Sequence, residues 1–314
     1  MGQSAIVIML AGGLRPASLH QQLGVPPLRL PLGREGTLLD WWIRTIQSTR
    51  RCREIRIVVN NVRDVEFTRR HFDNATRPAV SILSEPASWR GPGGIVRDAS
   101  NDLDPDDVIL VVEASCLPPP SLEPILDALT NGATAVVGAS ADNEPAGVYG
   151  FDRTAIERIP AVGYFDLKEQ LFPALYDLGI PARLVRLVDR VRRIRDRSTY
   201  FQAVRASLAD GANGDGCPRC SGGATVSADA RILGCSIIEG NVVVEEGAVI
   251  HDSVVLAGAV IQRDAIVSRS IVGPGAKVLS AQRLVEGILT SSVREDQAEG
   301  AVKMTAPSSV GGVR

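Results

Sequence analysis

The sequence predicts an α/β domain, a mainly parallel sheet with helices on both faces, followed by a short parallel β-helix. Three observations carry that expectation. Short apolar runs alternate with amphipathic stretches over the first two thirds of the chain, the order of strands and crossover helices. A Gly-rich stretch without apolar periodicity, residues 209–223, then interrupts the pattern. From Val226 onward large aliphatics return every six residues, a repeat that lets stacked coils bury one continuous interior.

Ala5-Ile6-Val7-Ile8-Met9-Leu10 reads as a buried parallel strand that runs into Ala11-Gly12-Gly13. Glycines at the carboxyl end of such a strand let backbone amides turn toward a ligand, and ligands of open α/β sheets sit at that end. Residues 36–46 form an amphipathic helix. Residues 53–60 read as the second strand, 63–72 as a helix, and Val80-Ser81-Ile82-Leu83 as the third strand. Gly91-Pro92-Gly93-Gly94 opens a helix reaching about Asn101. Strands follow at Val108–Val112, Ala133–Ala139 and Gly147–Phe151, with a helix from Pro120 to Thr130. Asp166–Leu175 is a helix, Ala182–Val188 a strand, and Ser198–Leu208 a closing helix with Ser198 as N-cap.

Composition narrows the function. Lys plus Arg is 34 against 36 for Asp plus Glu, a net charge of −2, so charge favours neither nucleic acid nor an anionic membrane as partner. No apolar run approaches the ~20 residues of a membrane span, and the N-terminus lacks a basic leader and cleavage site. Five cysteines, an odd and scattered set, argue against a disulfide framework. The expectation is a cytoplasmic protein.

In the C-terminal third the repeat places Val226, Ile232, Ile238, Val244, Ile250 and Leu256 in register, then Ile261, Val267 and Val272 after slips of one residue. The outline is therefore residues 1–208 as the α/β domain, 209–223 as linker, 224–290 as β-helix and 291–314 as a disordered polar tail. Val243, Val249, Val255 and Ile266 are expected near outer or edge positions. An apolar side of this kind favours self-association or docking on a relative.

The order of elements, Gly12-Gly13-Leu14-Arg15-Pro16, then Val25-Pro26-Pro27-Leu28-Arg29-Leu30-Pro31, then the helix, and later Ala146-Gly147-Val148-Tyr149-Gly150-Phe151 and Asp166-Leu167-Lys168-Glu169, resembles the sugar-phosphate nucleotidyltransferase family. The hexapeptide repeat behind such a domain is similar to mannose-1-phosphate guanylyltransferases and glucose-1-phosphate adenylyltransferases. The resemblance implies a Rossmann-like domain, a left-handed β-helix with three hexads per coil, and condensation of a nucleoside triphosphate with a sugar 1-phosphate assisted by Mg²⁺. Carried onto this sequence, it implies nucleotide contacts at Leu10, Ala11, Gly12, Gly13, Gly93 and Gly94, sugar contacts at Gly147, Lys168 and Glu169, and Glu113 as a metal ligand. Arg15 and Arg29 are the candidate catalytic cations.

The chain departs from the family pattern where charge is handled. Pro27 stands where the family has a phosphate-binding lysine, Ala114 follows Glu113 at the metal-binding strand end, and Arg193 stands where the second metal-binding aspartate belongs. A cation in that place repels a divalent metal. Two readings follow. One is a nucleotide- or nucleotide-sugar-binding homologue with impaired catalysis, acting in regulation or assembly as a homo-oligomer or beside a catalytic paralogue. The other is an active Mg²⁺-dependent enzyme with re-sited charges at Arg15, Arg29, Glu113 and Asp196. Cys217-Pro218-Arg219-Cys220 is half of a zinc site by spacing, with only Cys235 nearby. His251 offers an acyltransferase-like base, although an exposed turn histidine is the commoner situation. The five arginines between Arg190 and Arg197 suit a phosphate, a solvated face or an oligomer contact equally.

Overall fold

The computed structural model describes residues 4–11, 18–33, 36–59, 78–85, 90–209 and 218–291. Gly12, Gly13, Arg15, Cys217, the helix expected at 63–72 and the tail from 292 lie outside the described residues.

Among the described residues seven strands form one sheet: β1 (Ala5–Leu10), β2 (Cys52–Val59), β3 (Ala79–Ser84), β4 (Val108–Glu113), β5 (Ala135–Ala139), β6 (Pro145–Phe151) and β7 (Arg183–Arg186), in the order β3-β2-β1-β4-β6-β5-β7. The pairs on either side of β1 are parallel, as the unbroken apolar runs require. β6 is the exception, antiparallel to both β4 and β5. Its cause is local: residues 140–144 close a hairpin, and so short a connection cannot make the crossover that a parallel pair needs.

The helices are α1 (Ser18–Leu23), α2 (Leu38–Ser48), α3 (Gly91–Asp98), α4 (Glu123–Thr130), α5 (Arg153–Glu157), α6 (Phe172–Asp177, preceded by a π-turn at Leu167–Leu171) and α7 (Arg197–Ala209). Thr37 and Asp40 cap α2 reciprocally. α4 starts at Glu123, not at Pro120, with Pro124 in its first turn, where a missing N–H costs nothing. Cores lie on both faces of the sheet. One gathers Val7, Leu39, Trp42 and Leu110, the other Ile8, Ile109, Val111 and Phe151.

The C-terminal part is a three-sided stack of short parallel strands, the arrangement of a β-helix. Its first side holds Arg219–Cys220, Ile237–Ile238, Val254–Val255, Ile271–Val272 and Ile288–Leu289. The second runs from Thr225–Val226 to Lys277–Val278, the third from Arg231–Leu233 to Arg283–Val285. The first strand thus falls within residues read as linker, because Arg219 and Cys220 pair in parallel with Ile237 and Ile238. A coil takes 18 residues between Arg231 and Val249 and 17 between Val249 and Ile266. Ile238, Val244, Ile250, Val255, Ile261, Val267, Val272 and Val278 fill the interior. Val255, expected outside, is therefore inside, and Leu256, expected inside, joins the core of the α/β domain. The slip comes one strand early, after Ile250, since Val255 pairs with Ile238.

The outward residues of the first side, Ile237, Val254 and Ile271, are buried with Tyr200, Ala203, Val204 and Leu208 of the α/β domain. The two parts share one core there. Arg197 Nη1 donates to the Arg269 carbonyl at 2.6 Å, and Arg219 donates to the Gly33 carbonyl. Val243 is exposed on the second side, while Val249 and Ile266 are half-buried on the third.

Candidate functional site

At the carboxyl ends of the adjacent strands β1 and β4 lies a cleft of about 280 Å³, lined by Leu10, Pro92, Glu113, Ser115, Tyr149, Asp166, Leu167 and Lys168. Its centre is Glu113, the last residue of β4. Tyr149, opposite Val111 in the β4–β6 register, donates its hydroxyl to Glu113 Oε1 at 2.9 Å. Lys168 Nζ lies 2.7 Å from the same oxygen. Arg193 Nη2 lies 3.8 Å from Oε2.

Local backbone geometry brings these groups together. An antiparallel bridge joins Cys116 and Arg193. Leu117 N–H donates to the Arg192 carbonyl at 2.9 Å and Ile194 N–H to the Ser115 carbonyl at 2.8 Å. Ile194 is fully buried and anchors the bridge. Arg193 then donates from Nε to Cys116 Sγ at 3.2 Å and from Nη2 to the Pro145 carbonyl at 2.6 Å. Trp42 Nε1 holds the Cys116 carbonyl at 2.9 Å from the other side. Lys168 is placed by the turn before α6, where Asp166 Oδ1 accepts the Lys168 and Glu169 N–H groups at 2.7 and 2.9 Å. Gly147, at φ +74°, packs so close that a side chain there would collide with Cys116 Sγ and crowd Glu113 Cβ.

The electrostatics follow. Burial pushes the Glu113 carboxyl up, but the hydrogen bond and charge of Lys168, the Arg193 charge and the Tyr149 hydroxyl outweigh it, so Glu113 stays below the usual carboxylate range. Burial, then Glu113, pushes the Cys116 thiol up to about 11. The same two causes raise the Tyr149 phenol well above its ordinary value.

Leu10, Glu113 and Lys168 meet at the cleft, with Ala11 following β1 and Gly147 directly behind Glu113. Glu169 precedes α6 on the exposed surface. Gly93 and Gly94 occupy the first turn of α3, and both amides point to the Phe165 carbonyl, at 2.9 and 3.4 Å. A Cβ on Gly93 would lie 2.9 Å from that oxygen, so close approach to the Phe165 backbone explains this glycine. Arg29 is exposed and its charge is felt by Glu239 of the β-stack. Asp196 Oδ1 accepts the Thr199 N–H at 2.8 Å, capping α7. Cys220 is an exposed free thiol. His251 lies 3.9 Å from Asp252, also in the stack. Tyr149, Ser115 and Cys116 are the site residues that motif reading did not single out. Of the three only Tyr149 lies on β6, where alternation sets it on the face opposite Val148.

A Mg²⁺ ion does not fit this arrangement. It needs free carboxylate oxygens, and both oxygens of Glu113 face cations or a donor. No group of three or more His, Cys, Asp or Glu side chains among the described residues is placed to hold a metal ion.

Comparison with known families bears on the second part of the chain. Residues 219–300 match the family model of the GMPPB C-terminal domain. That match points to the sugar-nucleotide nucleotidyltransferases, and within them to the mannose-1-phosphate guanylyltransferase family. It begins at Arg219, the first strand of the stack. No curated protein matches the chain significantly. No helix among the described residues is long and apolar enough to cross a membrane.

Proposed function

We propose that the chain is a nucleotidyltransferase-like protein of sugar-nucleotide metabolism that binds a nucleotide or nucleotide sugar at the β1–β4 cleft and has lost most or all catalytic power. The observation that carries this reading is the pairing of Glu113 with Lys168 and Arg193. In the related enzymes that strand end serves a metal ion, and here its carboxylate is committed to cations of the chain itself. The match of residues 219–300 supports the substrate class. The alternative is an active enzyme with re-sited charges; of those charges, Asp196 caps α7.

The proposed role is regulatory or structural, in a homo-oligomer or beside a catalytic relative. Leu233, Val243, Leu279 and Val285 are exposed on the free sides of the stack, while Ile237, Val254 and Ile271 are occupied within the chain. Light scattering should find a species larger than the monomer, or a catalytic relative should co-purify. A monomer without such a relative removes the assembly role.

The ligand reading is tested by calorimetric titration with nucleoside triphosphates, nucleoside diphosphates and nucleotide sugars. Saturable binding by at least one of them, lost on Leu10→Arg, is the expected result. Heats of dilution alone across the panel would refute it.

A further inference from the structure

The charges around the cleft are Glu113, Asp166, Lys168 and, behind Glu113, Arg193. Asp166 accepts two backbone amides at the start of the turn before α6. Arg193 offsets the second oxygen of Glu113 from a position fixed by the Cys116 bridge. Lys168 Nζ meets Glu113 Oε1 at 2.7 Å and lies 5.9 Å from the centroid of the Tyr149 ring. The Lys168 side chain is 48% exposed and it faces the cleft, so its remaining N–H donors are open to a ligand. An enzyme that holds a divalent cation between two carboxylates carries its positive charge as a dissociable ion. Here the same charge is covalently part of the chain.

We propose that the cleft binds the phosphate groups of its ligand without a divalent cation, with Lys168 as the contacting cation and Arg193 as the fixed counter-charge that keeps Glu113 from repelling the anion. This deepens the ligand reading above and rests on the cleft being its site. Lys168 touches the ligand, and Arg193 acts through Glu113 as a positioning residue. The cost of the arrangement is selectivity against free metal: an ion approaching Glu113 meets two cations first.

The test is a thermal-shift titration of the full chain with inorganic pyrophosphate, in EDTA and in excess Mg²⁺. The expected rise in melting temperature in EDTA equals or exceeds that in Mg²⁺, because Mg²⁺ only sequesters the anion. It disappears in Lys168→Ala and persists in Lys168→Arg, which keeps the charge at an exposed position. Arg193→Asp sets a second carboxylate beside Glu113, and its response to pyrophosphate should then require Mg²⁺. A shift seen only with Mg²⁺ in the unmodified chain, no shift in either buffer, or a shift retained in Lys168→Ala overturns the inference. A chain that answers pyrophosphate in EDTA but binds no nucleotide or nucleotide sugar upholds the inference and loses the ligand proposed above.

Discussion

Arg193 and Glu113, on different segments, meet at 3.8 Å between Nη2 and Oε2. The meeting is not the chance docking of two long side chains. The Cys116–Arg193 bridge fixes the Arg193 backbone, and Cys116 Sγ and the Pro145 carbonyl take two of its donors. At 16% and 22% side-chain exposure the pair is partly withdrawn from water, so each charge depends on the other more than a surface pair does.

Glu113→Gln tests that dependence. Removing one partner leaves Lys168 and Arg193 facing each other without the intervening anion, and should cost about 3 kcal/mol at neutral pH. Since the folded-state carboxyl of Glu113 is lowered from 4.5, its stabilising contribution is present above that value and lost as pH falls through the lowered one. Urea melts of the two proteins should therefore stay separated from neutrality to about pH 4.5 and converge below it. Parallel curves down to the lowest pH would contradict a native ion pair.

Ile271→Ala tests the shared core. Ile271 lies on the outer face of the stack yet is fully buried with Tyr200 and Val204 nearby in the same cluster. The loss should be about 2–4 kcal/mol, from transfer and cavity costs together. An effect under about 0.5 kcal/mol, the ordinary surface value, would mean that the stack stands away from the α/β domain in solution.

The corner serines make a third test. Ser236, Ser253 and Ser270 are fully buried one coil apart. Ser236 Oγ accepts the Ser253 N–H at 3.2 Å, and Ser253 Oγ accepts the Ser270 N–H at 3.1 Å. Ser253→Ala leaves a buried amide without its acceptor and should cost about 1–3 kcal/mol. Hydrogen exchange at Ser270 should accelerate while that of β1 is unchanged at equal stability. Uniform acceleration would show that the ladder is not a local device.

Much of this architecture is legible in the sequence, for identifiable reasons. The unbroken apolar runs of β1 and β4 read as buried strands, and their parallel pairing puts Leu10 and Glu113 at the same end of the sheet. The six-residue period marks the stack. The errors are equally physical. Val254-Val255-Leu256 is a run of three aliphatics, and periodicity cannot tell which one turns inward; pairing with Ile237 and Ile238 decides it. The glycines of Gly91-Pro92-Gly93-Gly94 also have a packing reason that no local pattern shows: Gly91 and Gly93 approach the Phe165 backbone, and Gly94 the Arg90 side chain. Arg193 was legible as a departure from a metal-binding pattern. That it pairs with Glu113 depends on a bridge between segments 77 residues apart, which no local pattern encodes.

The most direct test of the central claim is exchange of labelled pyrophosphate into nucleoside triphosphate. It should be run with Mg²⁺ across a panel of nucleoside triphosphates and nucleotide sugars, on protein shown to bind at least one of them. The expected result is exchange indistinguishable from the protein-free blank for every pair. Robust Mg²⁺-dependent exchange with any pair, abolished by Glu113→Gln, would contradict the account and make the chain an active nucleotidyltransferase.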